Sequence, residues 1–178
     1  MLKHLVTAVC CGLIYGCATY SEPTCVGTTA LPASLANQFE AVTDPELLAK
    51  AIGQENRGML CEGQVYQAKA DAKVVLFRAW NSTNPKSQLG NWWAFDQPMG
   101  KVAEYRKDYA ICYQWTPLDM LVQCTLKPGT RVVVGTGQSI QCSPYLSYPV
   151  SATQQVFVDN AEASTEGCTT FTGVFGWQ

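Results

Sequence analysis

The chain carries one histidine, His4, and it stands inside an apolar leader. Beyond that leader no imidazole is left, which removes Ser-His-Asp and Cys-His nucleophile systems, HExxH metal sites and histidine general bases together. Chemistry therefore falls to carboxylates, Arg, Lys, Tyr, hydroxyls or binding geometry. Three stretches have residue types suited to it. Phe77-Arg78-Ala79-Trp80 sets an Arg inside an apolar strand pattern, and a half-buried guanidinium needs an anion, either a carboxylate such as Asp96 or Glu104 or a ligand phosphate. Gly90-Asn91-Trp92-Trp93-Ala94-Phe95 offers an aromatic strand that could stack on a planar ring. In a strand Trp92 and Trp93 point to opposite faces, so at least one of them belongs to the core. Gly135-Thr136-Gly137-Gln138-Ser139 precedes Thr153-Gln154-Gln155-Val156-Phe157-Val158, where amides lead into an apolar run. The glycine pair lacks the third glycine and helix of a dinucleotide-binding loop, and a bulge or strand end explains it better. Gln138 and Gln155 by themselves fit strand-edge amides. No pair of acids is spaced as a glycosidase would need.

The elements that must position these residues are mostly strands. Strand patterns cover Gln64 to Ala68, Val74 to Trp80, Asn91 to Phe95, Leu121 to Leu126, Arg131 to Gly135 and Gln154 to Val158. Asn81 to Gly90 reads as a polar loop, and Pro98 to Tyr109 as a helix with Lys101, Arg106 and Lys107 on one side. Two helical pieces fill Ser34 to Asn56, the second starting at Asp44-Pro45-Glu46, a cap followed by a first-turn proline. Lys127-Pro128-Gly129-Thr130 reads as a turn joining Leu121–Leu126 to Arg131–Gly135 in a hairpin. The Thr- and Gly-rich tail ends in Phe175 and Trp177. The expected fold class is α+β: one disulfide-stapled domain, mostly antiparallel strands with an N-terminal helical segment.

Residues 1–18 have the layout of a signal peptide: Lys3 and His4, an apolar run from Leu5 to Ile14, then Gly16, Cys17 and Ala18. The run is shorter than the roughly 20 residues of a membrane span. Ile14-Tyr15-Gly16-Cys17 resembles a lipobox with Cys17 as the acylated residue, which would anchor the protein to a membrane; ordinary cleavage and free secretion is the other route. Residues 19–32 then read as a tether and 33–178 as the domain. Six cysteines remain, Cys25, Cys61, Cys112, Cys124, Cys142 and Cys168. In an exported chain an even set predicts three disulfides, and no C-x-x-C pair supports a metal. If Pro128-Gly129 centres a hairpin, Cys124 lies opposite Val133 and Cys142 falls near Tyr113 to Trp115, so a Cys112–Cys142 bridge is easier than Cys124–Cys142. With a net charge of −2 and scattered basic residues, no nucleic-acid footprint appears. A monomer is expected.

The order of the three stretches resembles the ADP-ribosyltransferase fold of bacterial exotoxins, over roughly Val74 to Asn160. The resemblance implies that Arg78 contacts NAD phosphate or ribose, with Trp80 beside it. Trp93 and Ala94 would stand at the nicotinamide, and Gln155 would occupy the position of the catalytic Glu. NAD would be the substrate and a protein the acceptor. A neutral Gln155 supplies hydrogen bonds but no negative charge for an oxocarbenium-like transition state; Glu162, a few residues beyond the strand, or Glu104, on the preceding helix, could serve a different geometry. The alternative is a non-catalytic envelope lipoprotein or secreted binding module.

Overall fold

A computed structural model describes residues 24–173. The leader with Cys17, and the tail with Phe175 and Trp177, lie outside the described residues. The first α-helix, α1 (Pro45–Ala51), begins where the cap was expected: the Asp44 carboxylate accepts a 3.0 Å hydrogen bond from the Leu47 amide, with Pro45 in the first turn. Leu47 and Ala51 form its buried stripe. The earlier helical piece is a single 3-10 turn at Ala36–Gln38.

The strands follow as β1 (Phe39–Ala41), β2 (Leu60–Ala68), β3 (Val75–Trp80), β4 (Trp92–Trp93), β5 (Met120–Leu126), β6 (Arg131–Gly137), β7 (Ile140–Ser143), β8 (Leu146–Tyr148), β9 (Ser151–Phe157) and β10 (Thr165–Thr172). Two more short α-helices, α2 (Val102–Asp108) and α3 (Ala161–Ser164), and a second 3-10 turn at Pro85–Ser87 complete the described elements. The sheets are antiparallel: a five-stranded one in the order β1-β2-β6-β9-β4, a three-stranded one in the order β10-β5-β3, and the β7-β8 pair. This is the expected α+β domain.

The core lies between the two larger sheets. Leu76, Val122, Cys124 and Leu126 of the three-stranded sheet pack with Val132, Val134, Val156 and Trp93 of the five-stranded one. On the opposite face of the larger sheet, Val65, Val133 and Phe157 pack under Leu47 and Ala51 of α1. The central strand β6 is thus covered on both faces, which is why it reads as an unbroken apolar run. The two sheets touch through backbone at one point, where Phe77 and Ala94 exchange hydrogen bonds of 2.9 and 2.8 Å.

The hairpin expectation fails. β5 pairs with β3 and β10, whereas β6 pairs with β2 and β9, so Cys124 lies opposite Leu76 rather than Val133. Lys127-Pro128-Gly129-Thr130 carries the chain from one sheet to the other. Its Gly129 has φ +78°, and the Gly129 amide bonds the Ala68 carbonyl. The two apolar runs bury more by facing each other across the core than by lying side by side. The tail, for which no strand was expected, supplies β10.

Three disulfides form as expected in number: Cys25–Cys61, Cys112–Cys142 and Cys124–Cys168, with Cα separations of 5.7, 5.3 and 4.1 Å. The Cys112–Cys142 preference holds, although the register that suggested it does not. The described part of the expected tether is tied to the domain. Besides the Cys25 bridge, the Gln154 side chain donates to the Thr28 and Ala30 carbonyls, and the Tyr66 hydroxyl donates to the Thr29 carbonyl. Among the described residues no helix is long and apolar enough to cross a membrane.

Candidate functional site

Where β3 approaches β4 and β9, a cavity of about 270 Å³ opens. It is walled on the other side by α2 and the segment that follows it, residues 109–118. Arg78, Trp80, Trp93 and Gln155 all line it. The sequence order that suggested a site therefore corresponds to one place in space for four of the five residues. Ala94 is buried and outside the cavity lining; its role is the backbone bridge to Phe77.

Strand alternation puts Arg78 on the side of Leu76 and Trp80, so its guanidinium is drawn into the interior. Its Nε donates to the Ser87 carbonyl at 2.8 Å and its Nη1 to the Trp92 carbonyl at 2.7 Å. These carbonyls orient the group without neutralising it. Among the described residues Arg78 has no carboxylate partner and its Nη2 has no hydrogen-bond partner. The expected alternatives, Asp96 and Glu104, are exposed, and Glu104 faces Lys101 at 3.8 Å. Burial brings the Arg78 guanidinium down to about 10, which leaves it charged at neutral pH. Gly90 is what permits this placement: a Cβ there would stand 2.5 Å from Nη2.

The aromatic walls are divided by the sheet. Trp93 belongs to the core between the sheets, with its indole N–H donating 2.7 Å to the Gly90 carbonyl, and Trp92 packs on Phe157 across the other face at a ring separation of 5.0 Å. Trp80 is 7% exposed and its indole nitrogen is buried with no hydrogen-bond partner. From α2, Tyr105 and Tyr109 stack at 4.3 Å. Burial pushes the Tyr105 phenol well above its ordinary value and the Tyr109 phenol up to about 12, so both stay protonated and neither acts as an anion for Arg78.

Gln155 sits fifth in β9 rather than at the head of the strand. The ladder to β6 slips just before it: Gly135 faces Gln155 and Thr136 faces Gln154, but Gly137 faces Ser151. A second slip interrupts the β2 side of the same stretch, so the Gly135-x-Gly137 pair marks bulges, as expected. Gln155 is 4% exposed, and its amide nitrogen is buried without a partner. Gly137 leaves it room, since a Cβ there would lie 3.0 Å from that nitrogen. Gln138 serves its own turn instead, accepting from the Ser139 amide and hydroxyl. Glu162 is exposed on α3, and no Asp or Glu lines the cavity. No cluster of His, Cys, Asp and Glu suited to a metal occurs among the described residues.

Sequence reasoning missed the wall contributed by connecting segments: Arg57, Met59, Ala110, Trp115 and Leu118. A backbone signal accompanies them. Of the four non-glycine residues with positive φ among the described residues, Met59 (71°), Ala110 (52°) and Leu118 (59°) line the cavity and Asn56 (62°) precedes the lining residue Arg57. Such conformations cost of order 1–3 kcal/mol each and collect at binding sites. Residue type gives no hint of them here, because none is glycine. No family model matches this chain, and no curated protein and no solved structure is significantly similar to it.

Proposed function

We propose that this chain is an exported NAD-binding protein of ADP-ribosyltransferase-like layout, whose cavity takes the nicotinamide end of the dinucleotide. One observation carries the reading: a half-buried, charged Arg78 without a protein counter-ion lines the same cavity as Trp80, Trp93 and a Gln155 whose amide nitrogen has no partner. An uncompensated interior cation calls for an anion from outside, and a phosphate supplies one. Indole rings offer flat apolar walls for a pyridinium ring. A primary amide such as Gln155 can both donate to and accept from a carboxamide.

Cys17 would hold the protein at a membrane, and the three disulfides suit an oxidising compartment. Transfer of ADP-ribose to a protein acceptor is the activity this layout would support. The second reading, a non-catalytic binding module, is favoured by a specific fact: no carboxylate lines the cavity to stabilise an oxocarbenium-like centre. Both readings share the ligand. Calorimetric titration of the oxidised protein with NAD should show one site, abolished in Arg78→Ala. No heat of binding to the folded wild-type protein rejects the dinucleotide.

A further inference from the structure

If the cavity takes one end of NAD, the other end needs a place. Pockets that enclose drug-sized ligands run from about 300 to 1,000 Å³, and a dinucleotide exceeds most of those ligands. A cavity of about 270 Å³ therefore encloses one nucleoside end at most, and the second ring must lie at the mouth. Trp115 lines the cavity and is 56% exposed, which places it at the mouth with much of its surface in solvent. The neighbouring exposed Tyr113 and Tyr145 are not part of the lining. Exposed Arg57 stands in the same lining and adds a cation near the mouth.

The segment bearing Trp115 is held unusually well for an exposed loop. Cys112 is bridged to Cys142, and the Trp115 amide donates to the Cys112 carbonyl at 3.1 Å. Arg106 Nη2 donates to the Thr116 carbonyl at 2.6 Å, and the Gln114 side chain donates to the Cys142 carbonyl at 2.7 Å. An exposed indole on a pinned backbone loses little freedom when a ring stacks on it, which is the arrangement of a preorganised stacking surface. We propose that Trp115 is the stacking platform for the adenine ring of the dinucleotide, outside the cavity that holds the nicotinamide end. This rests on the NAD reading above and assigns the half of the ligand that reading leaves unplaced.

The test compares NAD with nicotinamide mononucleotide, which lacks the adenosine half, on wild-type protein, Trp115→Ala and Trp115→Phe. Base stacking on an aromatic side chain is worth about 1–3 kcal/mol by alanine substitution, so NAD affinity should fall roughly fivefold to 150-fold in Trp115→Ala. Nicotinamide mononucleotide, which can meet only the cavity side of Trp115, should lose much less affinity than NAD in Trp115→Ala, and Trp115→Phe should keep most of the affinity for both. As a second readout on the wild-type fold, the emission lost in Trp115→Phe should be quenched by NAD and not by the mononucleotide. Unchanged NAD affinity in Trp115→Ala overturns the platform, as does an equal loss for both ligands. Should wild-type protein bind neither ligand, the dinucleotide reading itself falls and takes the platform with it.

Discussion

Arg78 and Gln155 are two residues at which this molecule departs from the ordinary rules of a core. A half-buried cation is left without a counter-ion, and a buried amide nitrogen without a hydrogen-bond partner. Their chemistry separates binding from turnover. Gln155→Glu would place a carboxylate in the cavity that Arg78 lines, where the cation favours its ionised form. A charge so placed at a developing oxocarbenium centre is worth several kcal/mol, or roughly a hundredfold or more in rate. NAD glycohydrolase activity should therefore rise from a low baseline in Gln155→Glu, and Arg78→Ala should remove NAD binding in both backgrounds. An unaltered hydrolysis rate would separate Gln155 from the reacting centre.

Gly90 gives a quieter test of the same idea. Its new Cβ in Gly90→Ala meets only the far end of the Arg78 side chain, which can move aside, so the fold should survive. Loss of one charge-assisted hydrogen bond, about 1.5 kcal/mol, would weaken NAD roughly tenfold, with a melting temperature close to wild type. The pH profile has a fixed sign as well. Burial lowers the Arg78 guanidinium to about 10, still well above neutral, so binding should hold through neutral pH and weaken only in alkaline solution.

At the scale of elements, much of the positioning was legible. Asp44 and Pro45 place the start of α1, and the apolar runs place β3, β5 and β6, because capping and periodicity act over a few residues. What escaped was pairing. A Pro-Gly turn between two apolar runs is locally the same in a hairpin and in a crossing between sheets, and only the total burial decides. β10 was hidden for a related reason. Its exposed Thr-rich face leaves no alternation to read, and its place is set by pairing with β5 and by Cys168 bonding Cys124. The cavity's outer wall is the least legible part, since Trp115 and Leu118 reach it through a bridge and positive-φ backbone rather than through a periodic element. Removing that bridge, which spans a sequence separation of 30, in a Cys112→Ala/Cys142→Ala double variant should cost about 3.6 kcal/mol. NAD affinity should drop further than nicotinamide mononucleotide affinity, because the loosened segment carries Trp115. Equal affinities to wild type for both ligands would show that the bridge stabilises the fold without shaping the site.

Across the whole molecule, the covalent staples and the noncovalent core divide the labour unevenly. Cys25–Cys61 fastens the N-terminal segment to the five-stranded sheet, Cys124–Cys168 lies within the three-stranded sheet, and Cys112–Cys142 joins the 109–118 segment to β7. No bridge among the described residues runs from one large sheet to the other. Their seam is held by the shared apolar core, the Lys127–Thr130 crossing and the Phe77–Ala94 contact, and the cavity opens beside that contact. Opening at the seam is therefore limited by non-covalent contacts alone, with every disulfide intact. Hydrogen exchange should register this: the Phe77 and Ala94 amides should exchange faster than those of Val133 and Val134, and NAD should slow the first pair selectively. Uniform protection with and without NAD would mean a seam as rigid as the sheets. A slowed seam would make ligand capture a clamping event, in which the dinucleotide acts as the fourth staple that the cysteines do not provide.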